Sequence, residues 1–174
     1  MQRINPIKSQ EATGKAKELL GAVEKSMGMA PNILKTMANS PSALEAFLNI
    51  SGALSSGVLS AKIREQIALL TATINKCDYC LAAHTFIAKN QGISEAAIDE
   101  GKNGASSDSK TDAILKFVRA VVQKKAVVDD SEIAALRDAG VSDEEIVEII
   151  ANVVQSIFTN YFNHIVKTDI DFPR

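Results

Sequence analysis

What this chain has little of narrows its function before any motif is considered. There is no run of about 18 apolar residues, so no membrane-spanning helix is expected. There is no surplus of charge: a net charge of -2 leaves no electrostatic footprint for nucleic acid or for an anionic membrane. Repeats and low-complexity tracts are missing, which excludes solenoids and disordered tails. The opening stretch Met1-Gln-Arg-Ile-Asn-Pro-Ile-Lys8 has no apolar core of the signal-peptide kind, so a cytoplasmic location is expected. Cysteines number two and histidines two. In a reducing compartment two cysteines do not make a structural scaffold, and a 174-residue chain buries enough surface to fold as one domain, residues 1–174, without staples.

What is present is helical periodicity. Alternation with a period of two is nearly absent, and apolar residues recur at i, i+3, i+4 and i+7. A first helix is predicted over about Gln10 to Lys25, ending near Gly28. Ala30-Pro31-Asn32 breaks the chain before the short apolar stretch Ile33 to Met37. Ser40-Pro41 reads as an N-cap followed by proline at the first helical position. Ser60 caps a helix over about Ala61 to Asn75, and Ile63, Ile67, Leu70 and Ile74 share one of its faces. A further helix runs from about Cys77 to Asn90 and stops at Gln91-Gly92. Ser94 caps a short helix ending near Gly101, and the stretch from Asn103 to Asp108 is the clearest loop. Asp129 with Glu132, and Ser142 with Glu145, have capping-box spacing for the last two helices. The final helix, about Asp143 to Lys167, is apolar on two faces: Ile146, Ile149, Val153 and Ile157, and also Val147, Ile150, Val154 and Phe158. Both faces are expected to be buried, in the core or against another subunit. The fold class is all-α: a helical bundle with a central antiparallel hairpin.

Both cysteines fall in one motif, Cys77-Asp-Tyr-Cys80, with His84 four residues on. Helical spacing puts Cys77, Cys80 and His84 on one face, and Ile87 continues it inward. A cysteine attacks as the thiolate, yet a free thiol has a pKa of about 8.5; a neighbouring histidine can take the proton. The start of the helix favours a thiolate at Cys77, while His84 is spaced to serve Cys80. Lys76 and Asp78 flank Cys77 with opposite charges. On the preceding helix, Glu65 shares a stripe with Ala68, Leu69 and Ala72, where a carboxylate needs a partner. In a hairpin turning near Asn75, Glu65 lies ten residues before the turn and His84 nine after, so the two face each other. The result is a line of carboxylate, imidazole and thiol with the second thiol beside it.

Plainer readings stand beside this one. The cysteines could be two small buried residues, Glu65 a salt-bridged helix residue and His84 a core histidine. Cys77, Cys80 and His84 could ligate zinc with His164 as a fourth group, although structural zinc favours clearer four-ligand spacing; no metal or other cofactor is expected. Haem attachment needs histidine directly after the second cysteine, and here that residue is Leu81. His164 reads as structural or as a subunit contact.

Glu65, Cys77-x-x-Cys80 and His84, set in a helical hairpin, resemble the carboxymuconolactone decarboxylase-like superfamily, in its alkylhydroperoxidase D-like branch. The resemblance is strongest over about Leu44 to Gly101. The end segments Ala30-Pro31-Asn32 and Asp171-Phe172-Pro173 look like its peroxidase-related members. It implies an all-helical fold assembled as a homo-oligomer, usually a trimer or hexamer, and an antioxidant peroxidase that reduces hydroperoxides with electrons from a thiol or dithiol reductant. By position it implies Cys80 as the peroxidatic cysteine, Cys77 as its resolving partner and proton donor, and Glu65 with His84 as the proton relay. The best-known form of the family has histidine just before the second cysteine; here Tyr79 stands there, to donate a hydrogen bond or shape access. The alternatives are a thiol–disulfide oxidoreductase using the same pair, or a non-redox member such as a decarboxylase or a binding subunit.

Overall fold

The computed structural model describes residues 2–173; Met1, the first residue of the opening stretch read above, and Arg174 lie outside the described residues. Nine α-helices and one 3-10 turn (Ser9–Glu11) are found among them, and no strand. The helices are α1 (Gly14–Met27), α2 (Asn32–Met37), α3 (Pro41–Ser55), α4 (Ala61–Ile74), α5 (Asp78–Asn90), α6 (Glu95–Asn103), α7 (Ser109–Gln123), α8 (Asp130–Asp138) and α9 (Asp143–Val166). None is long and apolar enough to cross a membrane, among the described residues.

Local chemistry sets most of the boundaries. The side chains of Ser40, Ser60 and Ser94 each accept the backbone N–H three residues on, at 3.3 Å, at the starts of α3, α4 and α6. Both capping boxes form, Asp129 with Glu132 and Ser142 with Glu145. The first helix departs from its sequence reading: residues 9–11 make a separate 3-10 turn, and α1 begins only at Gly14.

Helix α4 is the axis, packing against α5, α6, α7 and α9. On one side lies a core of Ile67, Leu70, Ile114, Leu115, Val118, Ile149 and Val153. On the other, Ala72 joins Leu20, Leu34, Met37, Leu44 and both cysteines. Helices α4 and α6 approach closely at a glycine: a Cβ added at Gly101 would lie 3.0 Å from the Gln66 Cα. The loop from α4 to α5 is tight. Asn75 ends α4, Lys76 takes a left-handed φ of 55°, and Cys77 N–H donates to the Ala72 carbonyl at 2.9 Å. From α9, His164 Nε2 donates to the Asn75 carbonyl at 2.8 Å, and the Asn75 amide donates to Asn160 Oδ1 at 3.0 Å, which braces this turn.

The second face of α9, expected to be buried in the core or against another subunit, does not lie in the core. Ile146, Ile149 and Val153 are buried, but Val147, Ile150, Val154 and Phe158 are exposed, and Tyr161 and Ile165 extend the same stripe. Phe158 stacks on Phe47 of α3, with ring centroids 6.2 Å apart, while the rest of that face stays exposed.

Candidate functional site

The hairpin of α4 and α5 brings together the residues that the spacing singled out. Cys77 and Cys80 are joined as a disulfide, with Cα atoms 5.3 Å apart, and each residue is only 2% exposed. Cys77 is the N-cap of α5 rather than part of its first turn, and its sulfur accepts the Cys80 N–H at 3.3 Å. It thus does what Ser40 and Ser60 do elsewhere, with sulfur in place of oxygen. The Cys80 sulfur accepts a hydrogen bond from Asn163 Nδ2 on α9, also at 3.3 Å.

Glu65 and His84 meet across the hairpin at 2.8 Å, Oε2 to Nδ1. The carboxylate can only accept, so the proton sits on Nδ1 and the Nε2 lone pair stays free to take another. Glu65 is 13% exposed and His84 26%, which is the half-buried setting expected of a carboxylate that needs a partner. His84 makes no hydrogen bond to either sulfur among the described residues. It reaches them through a shared space. A cavity of about 330 Å³, the size of a small-molecule site, is lined by Cys80, His84 and Glu65, while Cys77 lies behind it. One wall is apolar, formed by Ile33, Leu34, Phe47, Leu48, Leu54 and Phe172.

The opposite wall was not foreseen. Asn152, Ser156, Thr159 and Asn163 line the cavity along α9 at steps of four, three and four, a third face beside the buried apolar one. Asn152, Ser156 and Thr159 spend donor hydrogens on their own helix: Asn152 Nδ2 on the Glu148 carbonyl at 2.8 Å, Ser156 Oγ on Asn152 at 2.9 Å and Thr159 Oγ1 on Ser156 at 2.9 Å. Their oxygen lone pairs are left over, so this wall presents acceptors. The signal was in the sequence, as four uncharged polar residues recurring at helical spacing along one face of α9.

Tyr79, the residue between the cysteines, is held from outside the hairpin. Its hydroxyl donates to Asp171 Oδ1 at 2.9 Å and accepts the Ile33 N–H at 3.2 Å. The other oxygen of Asp171 accepts the Asn32 N–H at 2.7 Å. Pro31, the N-cap of α2, has no side-chain acceptor, and a carboxylate from the chain's far end supplies one. Phe172 packs on the rings of Tyr79 and Phe86, each with centroids 5.7 Å away. Burial, the largest cause, pushes the Tyr79 phenol well above its ordinary 10.0, and Asp171 adds to the rise. Tyr79 is therefore a fixed hydrogen-bond donor here and no base near neutrality.

A pH prediction follows, with a definite sign. A folded pKa above the unfolded value stabilises the protein fully below pH 10 and is lost as pH rises beyond it, where the unfolded chain's phenol ionises. Tyr79→Phe strands the Ile33 N–H and should cost about 1–3 kcal/mol at pH 7. Urea melts at pH 7 and pH 10.5 should show the gap between parent and variant narrowing at the higher pH.

The four residues weighed as zinc ligands do not converge, since His164 is turned to the Asn75 carbonyl. Among the described residues no group of three or more His, Cys, Asp or Glu is placed to hold a metal ion.

Residues 41–124 match the carboxymuconolactone decarboxylase family, over the stretch that carries the hairpin. The chain is similar to a peroxidase-related protein from Ralstonia eutropha JMP134, described as an alkylhydroperoxidase AhpD core, with a TM-score of 0.87 and 23% identity over 98% of this chain and 92% of that one. A peroxidase-related protein from Silicibacter sp. TM1040 gives 0.82 and 24% over 95% and 91%. The debrominase Bmp8 gives 0.83 and 21% over 97% and 91%; a cysteine-to-alanine variant of it is known in complex with 2,3,4-tribromopyrrole. At these identities the likenesses show the fold. A comparison with curated proteins finds no match.

Proposed function

We propose that this chain, a carboxymuconolactone decarboxylase-like protein with the alkylhydroperoxidase D-like fold, is a thiol-dependent peroxidase with an antioxidant role. The observation that carries the reading is the Cys77–Cys80 pair at the edge of a cavity that also holds the Glu65–His84 hydrogen bond. In the reduced protein His84 Nε2 takes the Cys80 proton, with Glu65 fixing the tautomer. The thiolate attacks one oxygen of the hydroperoxide, the O–O bond breaks, and the departing alkoxide takes the proton from His84 to leave as the alcohol. Cys80 is now a sulfenic acid. The Cys77 thiol displaces its oxygen as water and closes the disulfide. A thiol or dithiol reductant then attacks the disulfide and restores both thiols, two electrons for each hydroperoxide. Cys80 is assigned the attack because it borders the cavity and Cys77 does not. Cys77 suits the leaving role, since the N-cap hydrogen bond stabilises it as a thiolate.

The debrominase of similar fold supports a second reading, in which the same dithiol delivers its two electrons to a small brominated ring and releases bromide, a proton and the disulfide. The apolar wall would admit such a ring. Turnover should therefore be measured with an organic hydroperoxide, a model disulfide and a bromopyrrole, each with dithiothreitol as reductant. Hydroperoxide turnover at least tenfold above the other two is the expected result; faster disulfide reduction or bromide release would replace this reading.

The exposed apolar stripe of α9 supports self-association. From Val147 to Ile165 it runs about 27 Å and faces away from the core. Its start is acidic, with Asp143 and Glu144, and Lys167 and Arg3 stand at its other end, where Arg3 Nη1 donates to the Ile165 carbonyl at 3.1 Å. Two copies paired antiparallel bury both stripes and oppose unlike charges. The protein should run in solution at a multiple of 18.6 kDa, and Val154→Glu should run as a monomer with its helix content intact. A monomeric parent protein would remove this interface.

A further inference from the structure

Asn163 is 5% exposed and lies 83 residues from Cys80 in sequence, yet its amide nitrogen ends on the Cys80 sulfur. Its other amide atom, Oδ1, is buried and has no hydrogen-bond partner among the described residues, although a buried carbonyl oxygen ordinarily has one. The side chain lines the cavity beside the acceptor-rich wall of α9. A disulfide sulfur carries no hydrogen, so the group facing it must be the donor, which fixes the amide's orientation. One short side chain thus offers a donor to the sulfur, while its oxygen is enclosed by the protein.

We infer that Asn163 readies Cys80 for attack: its Nδ2 donates to the reduced sulfur. The inference concerns the thiol itself, whatever substrate that thiol attacks. Donation to a thiolate is a charge-assisted hydrogen bond, stronger than the same bond to a neutral thiol, and so favours ionisation of Cys80. The charged groups near Cys80 are Glu65, His84 and Arg64 on the cavity wall; Asp171 is engaged by Tyr79 and Asn32, and His164 by Asn75. All of them persist in the variants below and cancel in the comparison.

The test uses the full chain with Cys77→Ser as parent, which keeps a good N-cap and leaves Cys80 as the sole thiol. Alkylation of Cys80 by iodoacetamide is followed from pH 5 to pH 10. Asn163→Leu should raise the midpoint by about one to two pH units, and Asn163→Asp, equal in shape but anionic, should raise it at least as far. Unchanged midpoints in a folded variant overturn the inference, and Asn163→Asp supplies that reading if Asn163→Leu does not fold.

Discussion

Cys80→Ser should lose hydroperoxide turnover by at least about 10³-fold, because the step that breaks the O–O bond has no other nucleophile. A serine hydroxyl ionises several units above a thiol and, at neutral pH, supplies almost no anion even beside His84. Cys77→Ser should behave differently. Its Cys80 still lies on the cavity and is still oxidised once, but nothing resolves the sulfenic acid, so one fast event is followed by a stall and by sulfinic acid when peroxide is in excess. The contrast between a variant that never starts and one that starts and stops depends on Cys80 bordering the cavity and Cys77 lying behind it. Reversed behaviour of the two variants, measured by peroxide consumption with dithiothreitol present, would exchange the roles of the two cysteines.

Glu65→Gln should lower hydroperoxide turnover at pH 7 by about 10²-fold with little change in fold. The carboxylate does two things at 2.8 Å from His84: it compels Nδ1 to carry the proton, and it stabilises the charge that appears when Nε2 takes a second one. Glutamine keeps the size, yet its amide can turn its NH₂ to Nδ1 and so permit the tautomer that has no base facing the cavity. The deficit should be largest near neutrality and shrink at high pH, where Cys80 ionises without help. A turnover profile unchanged from pH 6 to pH 9 would take Glu65 out of the mechanism.

How much of this was legible in the sequence depended on range. Helix starts were legible because their determinants are local: a serine or aspartate accepts an N–H two or three residues on, and Ser142 with Glu145 does so reciprocally. The approach of Glu65 to His84 was legible for the same reason one level up, since two helices joined by a tight turn must set residues at equal distances from it face to face. The turn itself was misjudged by one position. Lys76 adopts a left-handed conformation that no residue type announced, and this moves Cys77 out of the first turn to the cap. The hold on Tyr79 was not legible at all: Asp171 is 92 residues away, and nothing near either residue encodes the contact. Asn163 is hard to single out because the apolar faces of α9 dominate its pattern, while the polar stripe beside the buried face turns to the site. The second apolar face of α9 is marked for burial in the core or against another subunit, because hydrophobicity names a face to be covered without naming its cover; within one chain most of it stays exposed.

The central claim is that a hydroperoxide spends two thiols in one turnover through Cys80. Fully reduced protein mixed with a limiting amount of cumene hydroperoxide in a stopped-flow instrument, then quenched with an alkylating agent, tests it directly. Loss of two thiols per hydroperoxide, with Cys77 and Cys80 recovered as one disulfide by mass spectrometry and one equivalent of cumyl alcohol formed, is the predicted result. Thiols that survive the hydroperoxide unoxidised, or alcohol formed without a disulfide, would contradict it.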